Sequence, residues 1–208
     1  MEFYTQSLQD LIAEFEKLPG IGAKTAERLA YYVLRASEED AMGLAYAIRD
    51  VKKSVKNCRT CFNITESDEC SICTDDRRDG TKICVVEQPK DVYAIERAEN
   101  YGGKYHVLMG AFSPIDGVTP DDLTIQSLVD RIHEQAKSDH PVQEIILATN
   151  PNFEGDGTAA YLRDQLSGIA GLTISRIARG IPSGSNLDHA SRTIVADALE
   201  GRRAMEAS

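Results

Sequence analysis

The first third of the chain carries apolar residues at helical spacing. A helix predicted over residues 5–18 has one apolar face, formed by Leu8, Leu11, Ile12, Phe15 and Leu18, and Pro19-Gly20 ends it. A second helix is predicted from about residue 24 to residue 36. Ser37, three residues before Asp40, is typical of a helix N-cap and predicts a third helix that continues to about residue 53. Residues 1–56 are therefore predicted to form a small helical domain.

The pattern of apolar positions then changes twice. From residue 57 to residue 80 the periodicity disappears, and cysteines, acids and short polar residues take its place. Beyond this module, short apolar runs alternate with predicted helices near residues 89–99, 120–138, 156–167 and 189–200. The runs are Lys82–Val86, Tyr105–Met109, Glu144–Ala148 and Leu172–Ile177. This alternation predicts an α/β fold, with a parallel sheet and right-handed crossovers over residues 81–178 and a short C-terminal segment over 179–208.

The charge of the chain is unevenly distributed. The net charge of -10 argues against a protein that binds phosphates, because neutralising them needs lysine and arginine. However, residues 58–170 hold 20 acidic and 10 basic residues, whereas the flanking parts are nearly balanced. A local basic run, Arg49, Lys52, Lys53, Lys56 and Arg59, leads into the cysteine-rich module. Any contact with nucleic acid is therefore expected near the N-terminal third.

Four of the five cysteines form two C-x-x-C pairs, Cys58 with Cys61 and Cys70 with Cys73. No apolar window long enough for a membrane span is found, and the start Met-Glu-Phe-Tyr lacks the features of a secretory signal, so we expect no membrane association and a cytoplasmic, reducing location. Four thiolates can converge tetrahedrally on one zinc ion, and such a closed shell is structural. The alternative is two redox pairs or unligated thiols. Cys84 lies in a predicted strand and is expected to be buried.

The segment from Leu18 to Leu29 resembles a helix-hairpin-helix element. Gly20 and Gly22 flank Ile21, and such glycines let the chain turn so that backbone amides point outward at the start of the next helix. Lys24 and Arg28, four residues apart, project from the same helix face. These four residues, Gly20, Gly22, Lys24 and Arg28, are the predicted DNA contacts, made to phosphates without reading base sequence. The alternative is a packing corner whose glycines serve only the turn.

Three acids follow predicted strands. Glu87 comes after Lys82–Val86, and Glu154 and Asp156 come after Glu144–Ala148. Because functional groups gather outside the carboxyl ends of parallel strands, these acids are expected to share a crevice, where clustered carboxylates can hold magnesium. The layout resembles a Toprim domain, although Glu154 replaces the first aspartate of the usual D-x-D, which argues against catalysis. Solvated acids that cap a helix, or an acidic face for a partner protein, are the alternatives.

In this order, the elements resemble the RecR family of bacterial recombination mediators across essentially the whole chain. The residues that carry the resemblance are Leu18–Leu29, the four cysteines, Val86-Glu87, Asn150-Pro151, Glu154–Ala159 and Arg179–Pro182. The resemblance implies a DNA-binding protein of recombinational repair that acts with RecO and RecF type proteins to load RecA on single-stranded DNA. It also implies a homo-oligomer, a dimer or tetramer, that encircles single- or double-stranded DNA as a ring-like clamp.

The C-terminal segment departs from the family's Walker-B-like pattern of acids. Of those acids only Asp188 remains, and no G-x-x-x-x-G-K-(S/T) loop is present to hold phosphates. We therefore predict a protein that is not an enzyme and hydrolyses no ATP by itself. The competing hypotheses are a magnesium-dependent Toprim nuclease built on Glu87, Glu154 and Asp156, and a zinc-stapled adaptor for protein interactions.

Overall fold

The computed structural model of the protein describes residues 4–202 and residue 204, which form two compact units divided between Val55 and Lys56. The first unit contains three helices, α1 (Gln6–Glu16), α2 (Ala23–Arg35) and α3 (Glu38–Ser54). The predicted cap of α3 is confirmed, since the Ser37 hydroxyl accepts a hydrogen bond from the Asp40 amide at 3.1 Å. Helices α1 and α2 pack against each other, but the only fully buried described residues of this unit are Ala26 and Ala30.

The second unit begins with the cysteine-rich module. A two-residue strand β1 (Lys56–Asn57) pairs antiparallel with β2 (Ile64–Thr65), and a single helical turn α4 (Ser71–Thr74) follows. Neither the small hairpin nor α4 is apparent from the apolar pattern, because both are too short to show a periodicity.

The rest of the second unit is the predicted α/β domain. Strands β3 (Asp79–Val86), β4 (Gly103–Val107), β5 (Glu144–Leu147) and β6 (Thr173–Arg176) form a parallel sheet in the order β4-β3-β5-β6. The helices are α5 (Pro89–Glu96), α6 (Ile125–Gln135), α7 (Phe153–Leu166) and α8 (Arg192–Glu200). The fold class predicted from the alternation of strands and helices is confirmed.

The sheet is buried on both faces, as its continuous apolar strands require. One face packs against α6 and α7 around a core that includes Ile83, Val85 and Leu128. The other face packs against α5 and against two residues of the cysteine-rich module, Phe62 and Ile72. The module therefore forms part of a layer over the sheet.

Three helices begin at residues other than the predicted ones, and the last of them, α8, starts at Arg192 and not near residue 189. Thr119 and Asp122 cap only a 3-10 turn over Pro120–Asp122, and the long helix starts at Ile125. Helix α7 starts at Phe153 because the Asn152 side chain accepts a hydrogen bond from the Gly155 amide at 2.8 Å. Consequently Glu154 and Asp156 lie in the first turn of a helix. No helix of the described residues is long and apolar enough to cross a membrane.

Candidate nucleic-acid interface and metal site

The glycine turn between α1 and α2 is shaped by Gly20. Its φ of 79° lies in the left-handed region, where a side chain is strained. The Ile21 amide closes the turn by donating to the Leu18 carbonyl at 3.0 Å. Gly22 has an ordinary extended backbone, with φ of -94°, and an added Cβ would meet nothing within 4 Å. The turn itself therefore requires glycine at position 20 but not at position 22.

Helix α2 begins without a side-chain cap, because its N-cap residue is Gly22. None of the described residues accepts a hydrogen bond from the amides of Gly22, Ala23 or Lys24, and all three residues are exposed. Unsatisfied amides at a helix N-terminus attract anions through their dipoles. Lys24 and Arg28 are both exposed on the same side of α2. The sequence-predicted residues thus lie together around open donors.

The four cysteines of the two C-x-x-C pairs converge on one point. Their sulfur atoms all lie within 4.8 Å of one another, with Cys58 Sγ 3.8 Å from Cys73 Sγ and Cys61 Sγ 3.5 Å from Cys70 Sγ. A tetrahedral ion with Zn–S bonds of about 2.3 Å requires sulfurs about 3.8 Å apart, so the cysteines fit zinc. The Cys70 amide donates to Cys58 Sγ at 3.3 Å, which stabilises a thiolate. This is the predicted structural zinc site.

Cys84 is separate from this site, as predicted. It lies in β3, only 2 % of its surface is exposed, and burial raises the pKa of its thiol to about 12. A thiol with so high a pKa is unreactive and serves as a small apolar side chain.

Glu87, the first of the three predicted acids, is buried at the end of β3. Its carboxylate accepts hydrogen bonds from both the main-chain amide of Asn150, at 2.8 Å, and the Asn150 side-chain amide. Gly155 packs directly on this pair, since an added Cβ would lie 2.1 Å from the Asn150 carbonyl oxygen and 2.7 Å from Glu87 Oε1. Glu87 therefore holds the connection between β5 and α7 in place.

Asp156 is paired with two arginines that are not among the site residues predicted from the sequence. Arg179 and Arg176 both donate to its carboxylate, and they hold the pKa of Asp156 below its usual range. Arg179 also lies 3.8 Å from Asp197 of α8. Arg176 is the last residue of β6. Because functional groups gather at the carboxyl ends of parallel strands, Arg176 lies at the same edge of the sheet as Glu87 and Asp156. Glu154 is half-buried one residue before Gly155.

The carboxyl edge of the sheet thus differs from an open acidic cluster. Glu87 and Asp156 each have partners from the chain itself. Among the described residues, the four cysteines are the one group of histidine, cysteine, aspartate and glutamate side chains close enough to share a metal ion. Two guanidinium groups supply the positive charge beside Asp156.

Three family models match the chain, in the order of its structural parts. Residues 8–52 match the helix-hairpin-helix of RecR, residues 55–75 match the four-cysteine zinc finger domain of RecR, and residues 81–178 match the Toprim domain. The first two models cover the glycine turn and the four cysteines, and the third covers the parallel sheet with Glu87 and Asp156.

Full-length relatives give the same assignment. The chain is 48% identical over 203 residues to a recombination protein RecR of Rhodopirellula baltica, covering 98% of this chain and 99% of that protein. It is 48% identical to a recombination protein RecR of Paenarthrobacter aurescens, covering 96% of this chain and 98% of the relative, and 49% identical to one of Frankia casuarinae, covering 98% and 100%. With its helix-hairpin-helix, four-cysteine zinc module and Toprim domain in this order, the chain belongs to the RecR family of recombination repair proteins.

Proposed function

We propose that this protein binds DNA through phosphates held at the start of α2, and that Gly20, Gly22, Lys24 and Arg28 form the contact. The observation that carries the proposal is the uncapped helix start, where the amides of Gly22 and Ala23 have no acceptor among the described residues. A glycine at the N-cap leaves room for a phosphate oxygen where the side chain of serine or aspartate would otherwise lie. Lys24 and Arg28 add charge on the same side. Contacts of this kind do not distinguish bases.

The affinity of the protein for DNA is expected to fall steeply with salt and to vary little with sequence. Each phosphate neutralised contributes a slope of about -0.9 to the dependence of log K on log salt for duplex DNA, and about -0.7 for single strands. The measurement is fluorescence anisotropy of labelled single- and double-stranded oligonucleotides of two unrelated sequences across a salt series. Binding that is unaffected by salt, or that is restricted to one sequence, would contradict phosphate recognition.

We further propose that the protein acts on DNA without cleaving it. The nuclease hypothesis needs carboxylates that are free to hold magnesium. Here Glu87 is engaged by Asn150, and Asp156 is engaged by Arg176 and Arg179. The same oligonucleotides, incubated with the protein and magnesium, should remain full length on a denaturing gel. Cutting that disappears in a Glu87→Gln variant would instead support the nuclease.

Family membership supports the wider role. We propose a recombination mediator that acts with RecO and RecF type proteins to load RecA on single-stranded DNA. In this proposal residues 1–56 bind DNA, residues 57–80 hold zinc, and residues 81–178 with the C-terminal segment 179–208 serve as the scaffold. The zinc-stapled adaptor remains the second candidate, favoured by the acidic middle of the chain, and DNA binding that requires a partner protein would identify it.

We propose that the protein works as a homo-oligomer, a dimer or tetramer that encircles DNA, and that α3 contributes to an interface between copies. One stripe of α3 is apolar and exposed: Leu44, Ile48 and Val51 have exposed fractions of 47%, 59% and 58%. A unit of this size whose described residues include only two fully buried ones, both alanines, gains little stability from its own core. A second copy of the chain is the partner that we propose, in line with the homo-oligomer that the family resemblance implies.

The oligomer proposal predicts that Ile48→Asp combined with Val51→Asp lowers the mass in solution to that of one chain, because two carboxylates would be buried in the interface. The measurement is multi-angle light scattering of the purified protein. Tyr93→Asp is the matched control, since Tyr93 lies on α5 with 68% of its surface exposed. A wild-type protein that is already monomeric, or a double variant that keeps the wild-type mass, would contradict the proposal.

A further inference from the structure

Strand β4 lies at the edge of the sheet, yet several of its outward polar groups have partners. An edge strand normally presents unpaired amides and carbonyls that invite pairing with another chain. Here the Val107 amide donates to the Cys61 carbonyl at 2.8 Å. The Tyr105 carbonyl accepts from Arg131 at 2.8 Å, and the Gly103 carbonyl accepts from Arg78 at 3.1 Å. One of these partners is therefore the backbone of a zinc-binding cysteine.

Lys104, in the same strand, holds the second C-x-x-C pair. Its ammonium group donates to the carbonyls of Ile72 at 3.0 Å, Cys73 at 3.1 Å and Asp75 at 2.7 Å. An ammonium group has three donors, so the lysine is fully used by this one segment. A zinc ion with four thiolates carries a net charge of about -2, which a neighbouring cation stabilises. Lys104 is thus bound to the segment that supplies two of the four thiolates.

Phe62 holds the first C-x-x-C pair. It directly follows Cys61 and has a φ of 62°, a left-handed conformation that is costly for a residue with a side chain. Such strain persists only where the surroundings enforce it. The Phe62 ring packs against the His106 ring of β4, with centroids 5.3 Å apart, and joins the core on the α5 face of the sheet. Ile72, between Cys70 and Cys73, joins the same core.

We propose that the edge strand β4 holds the two C-x-x-C pairs of the zinc site in position. Lys104 and Phe62 are the positioning residues, and they determine how tightly zinc is retained. The dependence is mutual. When zinc is bound, the two C-x-x-C pairs are fixed and the module covers the free edge of β4. When zinc is lost, the Cys61 carbonyl and the α4 segment are released, and β4 is uncovered. Lys104 acts on the metal through main-chain carbonyls and does not ligate it.

The first test compares Lys104→Met with Lys82→Met. Lys82 lies on the neighbouring strand β3 and pairs with Asp79 at 3.2 Å, outside the zinc module. Zinc release into a chromogenic chelator, 4-(2-pyridylazo)resorcinol, is followed on the folded proteins. Lys104→Met should release zinc about 10-fold faster or more, as for other residues that orient metal ligands, and Lys82→Met should match the wild type. Equal rates for Lys104→Met and the wild type would overturn the proposal.

A second measurement uses the wild-type chain and so avoids any folding defect of the variants. Hydrogen exchange is compared before and after zinc is removed with the chelator. Peptides that contain Val107 should lose protection, whereas peptides of β5, in the middle of the sheet, should keep it. If β4 keeps its protection without zinc, the cysteine-rich module does not cover the edge of this strand, and the proposal is overturned. The control is the zinc-bound protein, in which the amides of both β4 and β5 should stay protected.

Discussion

Replacing Lys24 and Arg28 together with alanine is expected to remove most of the affinity of this protein for DNA. The two side chains are exposed beside the amides that begin α2, and phosphate contacts of this kind supply nearly all of sequence-independent binding. The salt slope should decrease in magnitude by about 2 on duplex DNA, one unit for each cation removed. Fluorescence anisotropy across a salt series measures both the affinity and the slope.

The control removes the same charge elsewhere. Lys137→Ala combined with Arg163→Ala deletes two exposed cations from the α/β domain, so a loss confined to the α2 variant cannot be a general effect of net charge. Gly22→Asp tests the amides themselves, because an aspartate N-cap satisfies them and repels phosphate while stabilising the helix. Undiminished binding by the α2 double variant would remove the glycine turn from the account of DNA binding, whatever the family assignment.

Substituting Cys61 with serine is expected to abolish zinc binding and to lower the melting temperature by about 10 °C or more, given that about 1 kcal/mol corresponds to 2–4 °C in a chain of this size. Cys61 is fully buried, its sulfur lies 3.5 Å from that of Cys70, and its carbonyl accepts from Val107 of β4. Losing one thiolate opens the closed shell on which the module depends. Atomic absorption gives the zinc content, and calorimetry gives the melting temperature.

Cys84→Ser is the matched control for this substitution. It also places a hydroxyl at a buried cysteine, but in β3 and away from the four converging sulfurs. It should lose some stability and keep its full zinc content. A Cys61→Ser protein that still binds one zinc per chain with wild-type retention would contradict the four-cysteine site.

The sequence predicts the parts of this molecule in which the residue types themselves determine the chemistry or the secondary structure. Two C-x-x-C pairs predict the zinc site, and apolar runs alternating with helices predict the parallel sheet. The residues that pair with the acids at the carboxyl edge are different, because Asn150, Arg176 and Arg179 are ordinary polar residues whose roles depend on which partners the fold brings near. Helix α7 starts at Phe153, before the predicted residue 156, because the Asn152 side chain caps the helix. This cap outweighs the weaker helix propensity of the residues after it.

The supports of the zinc site show the same dependence on tertiary contacts. Nothing in the residue type of Lys104 indicates three carbonyl partners, and the left-handed backbone of Phe62 is apparent only once its ring is seen against His106. Predictions from the chain alone are therefore sound for the metal ligands and incomplete for the residues around them.

The pairing of Asp156 with Arg176 and Arg179 has a practical consequence. The counter-ions at the carboxyl end of this sheet are side chains of the polypeptide, so dialysis or EDTA cannot strip them away, whereas the zinc beside β4 is a separate ion that a strong chelator can extract. The two regions of one compact unit therefore differ in what they need from the surrounding medium. The region around Asp156 is complete once the chain folds, and the cysteine module becomes complete only when the cell supplies metal.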